Sequence, residues 1–189
     1  MSSTFIMILI IIAIIALIIL VTHNSIIGFY NACQRAWADV ITQELQKNRV
    51  LPKLEETLAS YNLHESSIMQ SVTELRTALK NVSQTTDTAT LQKINEQTSA
   101  LMTSLNMVAE NYPDLKASTL YQGFMKEFSA LENNIAASIR IFNANVERFN
   151  TKIETFPNVL INNSLTKKPR MNVFTDSQAA SNFEYKPNF

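Results

Sequence analysis

LYQGFMKEFSALENNIAASIRIFNANVERFNTKIETFP, running from Leu120 to Pro157, decides the fold. Its apolar residues are Leu120, Phe124, Phe128, Leu131, Ile135, Ile139, Phe142, Val146, Phe149, Ile153 and Phe156, separated only by threes and fours. That spacing keeps them on one side of a long α-helix, as a continuous stripe needing partners along its whole length. Pro113 and Asp114 sit just before this helix, a proline and an acid where helix starts favour them. Pro157 ends it, because the residue before a proline is pushed out of helical geometry.

Three shorter stripes precede it. Ile68, Val72, Leu75, Leu79 and Val82 form one. Leu91, Ile94, Leu101, Leu105 and Val108 form another, with Met102 and Met107 beside it. Trp37, Ile41, Leu51, Leu54, Leu58 and Tyr61 mark the first, which Pro52 interrupts and should kink rather than end. The breaks fall at Asn62-Leu63-His64, at Ser83 to Thr88, and at Asn111-Tyr112-Pro113, with Asp87 or Thr88 placed to cap the third helix. Four stripes joined by short loops predict an all-α fold, a long antiparallel four-helix bundle. In that geometry the loop at Ser83 to Thr88 and the Phe156-Pro157 turn share the membrane end.

Toward the N-terminus, Phe5 to Val21 reads FIMILIIIAIIALIILV without a polar side chain. That run is at the short end of what crosses a bilayer, and the first charged side chain is Arg35. Phe5, Ile10, Ile15, Leu20 and Val21 are the expected anchor residues. The preceding Ser2-Ser3-Thr4 lacks the cationic start of a signal peptide, and Thr22-His23-Asn24-Ser25 lacks a small-residue cleavage pattern, so the segment reads as an uncleaved single-pass anchor. Arg35, Lys47, Arg49 and Lys53 follow the span, a bias that places the C-terminal domain in the cytoplasm, with the outward orientation as the alternative. The expected organisation is an anchor over 1–29, a bundle over 30–157 and an irregular tail over 158–189.

Composition excludes several classes. Lys+Arg and Asp+Glu are both 16, so no basic excess exists to bind nucleic acid. Two glycines cannot build a phosphate-binding turn, and one cysteine with two histidines supplies neither a disulfide framework nor a thiolate zinc site. His64-Glu65 has isoleucine where a zinc-protease helix needs its second histidine, and reads as a helix start whose histidine could report pH. Cys33 reads as a small packed residue, and Tyr30, Trp37, Phe142, Phe149 and Phe156 as core aromatics rather than a ligand box. Arg49 and Glu132 are a candidate interhelical pair. Lys167, Lys168 and Arg170 in the tail are candidate lipid-headgroup contacts. No catalytic, cofactor-binding or metal-ligating set emerges, and no cofactor is expected.

The pieces Tyr30-Asn31, Ala36-Trp37, Arg49-Val50-Leu51-Pro52-Lys53-Leu54, Tyr61, His64-Glu65, Tyr112-Pro113-Asp114-Leu115-Lys116-Ala117, Glu132-Asn133-Asn134-Ile135-Ala136, Arg140, Phe142-Asn143, Phe149-Asn150 and Phe156-Pro157 resemble, in order and spacing, the LemA family of bacterial membrane-anchored proteins. The tail departs from that pattern, with Ser164-Leu165 where the family tends to carry Gly-Phe. The resemblance implies a single-pass anchor in the bacterial inner membrane and a long helical bundle. As partners it implies the bilayer and membrane-bound zinc metalloproteases. The expected function is a non-enzymatic scaffold or interaction module that self-associates, the unequal helix lengths leaving surface open to a second copy. The alternative is a regulatory subunit or adaptor of a membrane enzyme.

Overall fold

The computed structural model describes residues 3–61, 63, 65–82 and 87–175. The helices are α1 (Ser3–Leu45), α2 (Lys47–Ser60), α3 (Ser66–Lys80), α4 (Thr88–Asn111), α5 (Pro113–Ala117), α6 (Thr119–Glu154) and α7 (Asn158–Ile161), followed by a π-helical turn at Asn162–Thr166. Among the described residues there is no strand. The chain divides into two compact units, Met1–Ala36 with Ile141–Val173 and Trp37–Arg140 with Phe174–Phe189.

The second unit is the bundle. Leu51, Leu54 and Leu58 from α2, Ile68, Val72, Leu75 and Leu79 from α3, Leu101 and Leu105 from α4, and Phe124, Phe128, Leu131 and Ile135 from α6 share one buried core. Each fully buried side chain of this size contributes about 1.5–3 kcal/mol by leaving water. Direction follows from the ion pairs. Lys47 meets Glu132 and Lys53 meets Glu127, so the partner's number falls as the first rises, and α2 and α6 are antiparallel. Arg76 of α3 reaches back to Glu55 of α2 at 3.0 Å across their connecting loop.

Three local features differ from the sequence expectation. The helix continues through Pro52, as expected, but a break that the sequence does not mark falls at Gln46, where the backbone N–H turns to the Gln43 carbonyl at 3.1 Å. The carbonyl that Pro52 leaves without a helical donor belongs to Asn48, an exposed residue that water can reach. Pro113 and Asp114 form their own short helix, which plugs Leu115 into the core. Ser118 then turns to extended geometry, and its Oγ accepts the Tyr121 N–H at 3.1 Å, so the last helix starts at Thr119. Leu120, counted in the stripe, is 53% exposed in that first turn.

Asp87 caps α4, accepting the N–H groups of Ala89 at 3.0 Å and Thr90 at 3.4 Å and the Thr90 hydroxyl. Those bonds, the Thr90 hydroxyl foremost, hold its carboxyl below the usual value. Asp87→Ala should lower stability by about 1 kcal/mol in chemical denaturation. Because the folded pKa is depressed, that contribution is present above the ordinary carboxylate range and fades as the pH falls through the folded value.

The first unit contains the apolar run. Every large apolar side chain from Phe5 to Val21 is 36–61% exposed, an uninterrupted apolar sleeve that water does not tolerate at this size. α1 is long and apolar enough to span a membrane. Beyond the run, Ile26 and Cys33 of α1 are buried, as are Phe142, Val146, Phe149 and Ile153 of α6. Tyr30 meets Phe149 edge-on at 5.7 Å.

The tail is not irregular throughout. Asn158 donates to the Thr155 hydroxyl at 3.0 Å, and Asn162 ties off the π-turn by donating to the Lys168 carbonyl and accepting the Lys168 N–H, both at 3.0 Å. Asn150 of α6 exchanges the same two bonds with Met171, at 2.9 and 3.0 Å. These asparagines act as surrogate peptide groups and pin α7, the π-turn and the irregular residues up to Met171, an effect invisible to hydrophobic periodicity. Residues beyond 175 lie outside the described residues, as do His64 and the Ser83 to Thr86 loop.

Candidate functional site

Two places concentrate polar groups, one in each unit. In the bundle the last turn of α1 and the first of α2 bring Glu44 and Lys47 to the core, one turn apart. Lys47 is 1% exposed and Glu44 2%. The Lys47 ammonium has three protons to give. It lies 2.8 Å from Glu44 Oε2 and 3.0 Å from Glu132 Oε1, and donates to Thr98 Oγ1 of α4 at 2.9 Å. One buried cation thus ties three segments of the bundle, donating a hydrogen bond to Thr98 and standing in ion-pair contact with Glu44 and Glu132.

The partner of Glu132 is therefore Lys47 and not Arg49. Two residues further along a helix is a rotation of about 200°, and Arg49 is exposed while Lys47 is buried. The sequence pairing missed Lys47, although a signal was there. Trp37, Val40, Glu44, Lys47, Leu51, Leu54 and Leu58 continue the three-four spacing, so the two charges occupy core positions of the stripe.

With both carboxylates ionised the node carries two negative charges against one positive. Burial pushes the Glu44 carboxyl above its ordinary value; Lys47 opposes the rise and Glu132 adds to it. The folded chain then holds a proton that the unfolded chain releases. Stability should fall as the pH rises from the ordinary value of 4.5 through the raised folded value, and Glu44→Gln should flatten that slope in melting curves recorded across the range.

In the first unit, cations and aromatics meet beyond the apolar run. Lys168 Nζ sits 4.0 Å from the centre of the Tyr30 ring, and Lys152 Nζ lies 5.9 Å from that of Phe29. Contacts of this kind contribute about 0.5–1 kcal/mol when exposed. Arg170 is 3.7 Å from Glu154, both side chains more than half exposed, an arrangement of small energetic weight. Lys167 is exposed and left-handed at φ 48°. The three tail cations thus have three different surroundings rather than one patch, and Lys152 joins them from α6. Close by, α7 and the π-turn lie along α1 and enclose an apolar groove of about 490 Å³ with Ile15, Ile18 and Ile19.

The remaining singled-out residues are placed as follows. Cys33 is fully buried, and burial pushes its thiol up, away from the reactive thiolate. Trp37, Phe142 and Phe149 are core, Tyr30 is half-buried, and Phe156 is 79% exposed. Glu65 precedes α3 and accepts the Tyr112 hydroxyl at 3.0 Å, a cross-tie that raises the phenol pKa. Among the described residues no three His, Cys, Asp or Glu side chains gather where a metal could sit. At the node, the ammonium already occupies the position between the two carboxylates.

The sequence pattern of the LemA family matches residues 36–186, more than three quarters of the chain. The chain belongs to the LemA family. A relative named Protein LemA, from Metamycoplasma hominis, is 33% identical over 133 residues, 70% of this chain and 60% of the relative. The chain therefore spans about 60% of the length of that relative. The LemA match begins beyond the apolar run and continues past Phe156-Pro157. It includes all four members of the buried node and the α7 wall of the groove, whereas Ile15, Ile18 and Ile19 lie outside it.

Proposed function

We propose that this LemA-family chain is a non-enzymatic, membrane-anchored scaffold or interaction module that self-associates at the bacterial cytoplasmic membrane, its bundle on the cytoplasmic side. One observation carries the anchoring. A single unbroken helix, α1, holds the exposed apolar sleeve in its first half and buried core residues, Ile26 through Ile41, in its second. Zero net charge argues for protein and lipid partners over nucleic acid. Lys167 and Arg170, both exposed beyond the span, are suited to anionic headgroups, each contributing about 1 kcal/mol near such a surface. Self-association is supported by the unequal lengths of the bundle helices, 15 residues in α3 against 36 in α6, which leave side surface open to a second copy.

The test is the mass and composition of the native complex, extracted from membranes in mild detergent without overexpression. Several copies of this chain alone are the expected result. A stoichiometric second protein would replace the scaffold by the adaptor reading, with a membrane protease as the first identity to check. A monomer, or recovery in the soluble fraction, would overturn the proposal.

A further inference from the structure

The hairpin formed by α7, the π-turn and the return of the chain to Asn150 at Met171 lies level with the apolar run of α1. Val21 ends the apolar run and Thr22-His23-Asn24-Ser25 opens the polar segment, so the bilayer boundary falls between them if α1 spans. Ile15 lies six residues inside that boundary, about 9 Å at the rise of an α-helix. Ile15, Ile18 and Ile19 nevertheless form one wall of the apolar groove, and Leu160, Ile161 and Leu165 stand on the other. Residues C-terminal to α6 are therefore level with residues inside the apolar core.

The hairpin is made for that level. Phe156, Leu160 and Leu165 are 79%, 58% and 57% exposed, three large apolar side chains on a segment of ten residues. Its buried polar side chains satisfy themselves locally. Asn162 uses both its amide donor and its carbonyl on the Lys168 backbone, and Asn158 donates to Thr155. Non-helical backbone is tolerated in lipid only when its polar groups are matched this way. The chain then continues through Lys167, Lys168 and Arg170, cations suited to phosphates, with Lys168 Nζ 4.0 Å from the centre of the Tyr30 ring beyond the apolar run.

We propose that Phe156 to Leu165 is a second membrane-inserted element, and that the groove it forms with α1 holds one acyl chain of a glycerophospholipid. The occupant follows from continuity. One wall of the groove is the spanning helix itself, so the groove opens into hydrocarbon, and its volume suits a ligand of this kind. The hairpin makes the anchor two-pronged. The inference rests on the reading of α1 as a span.

The test uses the full chain in nanodiscs of phosphatidylglycerol and phosphatidylcholine. Nitroxides are attached in separate variants at Leu160→Cys, Leu165→Cys, Ile11→Cys in the span and Met107→Cys on the bundle; the native Cys33 is buried. Oxygen should relax the labels at 160, 165 and 11 severalfold more than a water-soluble nickel chelate, with the reverse at 107. Labels at 160 and 165 that behave like 107 while 11 stays in lipid would overturn the inference and leave the span standing. A label at 11 that also reads water would remove the span and the inference together. Labels at 160 shielded from both relaxants would indicate a protein partner there and overturn the lipid assignment. A phospholipid carrying a diazirine on its acyl chain should crosslink both to Ile18 or Ile19 and to the Leu160–Leu165 segment. Crosslinks confined to α1 would reject the groove as an acyl site.

Discussion

Replacing Lys47 by methionine should lower the stability of the bundle by about 3–5 kcal/mol at neutral pH, because it removes the only positive charge of the node and leaves Glu44 buried against Glu132. The loss is a desolvation effect, not a measure of what the ion pairs contribute. It should therefore shrink as the pH falls, since Glu44 already holds its proton more tightly than an ordinary carboxyl and can neutralise itself. Combining Lys47→Met with Glu44→Leu and Glu132→Gln should recover most of the stability, and can exceed the parent, because well-packed apolar groups commonly match a buried ion pair. Chemical denaturation of the full chain in detergent, followed by circular dichroism, checks both. A Lys47→Met variant as stable as the parent at neutral pH would mean that water reaches the node.

Phe128→Ala should cost about 3–5 kcal/mol, the range for truncating a buried aromatic. Phe128 is 1% exposed in the middle of the α6 stripe and stacks on Phe124 at 5.5 Å. Leu120→Ala, eight residues earlier on the same stripe, should stay within about 0.5 kcal/mol, since that side chain is already 53% exposed. The pair separates burial from periodicity. Equal losses at the two positions would mean that the first turn of α6 is covered by something else, a second copy of the chain foremost.

How far the sequence could be read varies with the physics behind each feature. The packed faces of the bundle were legible because apolar spacing reports a face directly, as for Ile68, Val72, Leu75 and Leu79, all buried in α3. The Asp87 cap was legible because the residues after a cap are fixed in sequence. The place of the helix break was not. Proline marks a lost donor, and α2 continues through Pro52 as the stripe on both sides of it requires, whereas the turn at Gln46 falls where no breaker residue stands. Charge and helix membership alone point to Arg49 as the partner of Glu132, and the rotation of the helix assigns the contact to Lys47.

By themselves, the amino acids determined that the chain is helical, that it carries an apolar run of spanning length, and that its long stripes must pack on one another. These follow from local spacing and composition, which act without reference to distant residues. Only the tertiary structure decided that Glu44, Lys47, Thr98 and Glu132 converge, that Asn150 and Asn162 order the tail, and that Leu160 and Leu165 lie alongside Ile15 and Ile18. Each of those meetings joins residues far apart in the chain or groups whose role is set by direction. Hydrogen bonds and ion pairs depend on angle and on distances of about 3 Å, and periodicity carries no information on either.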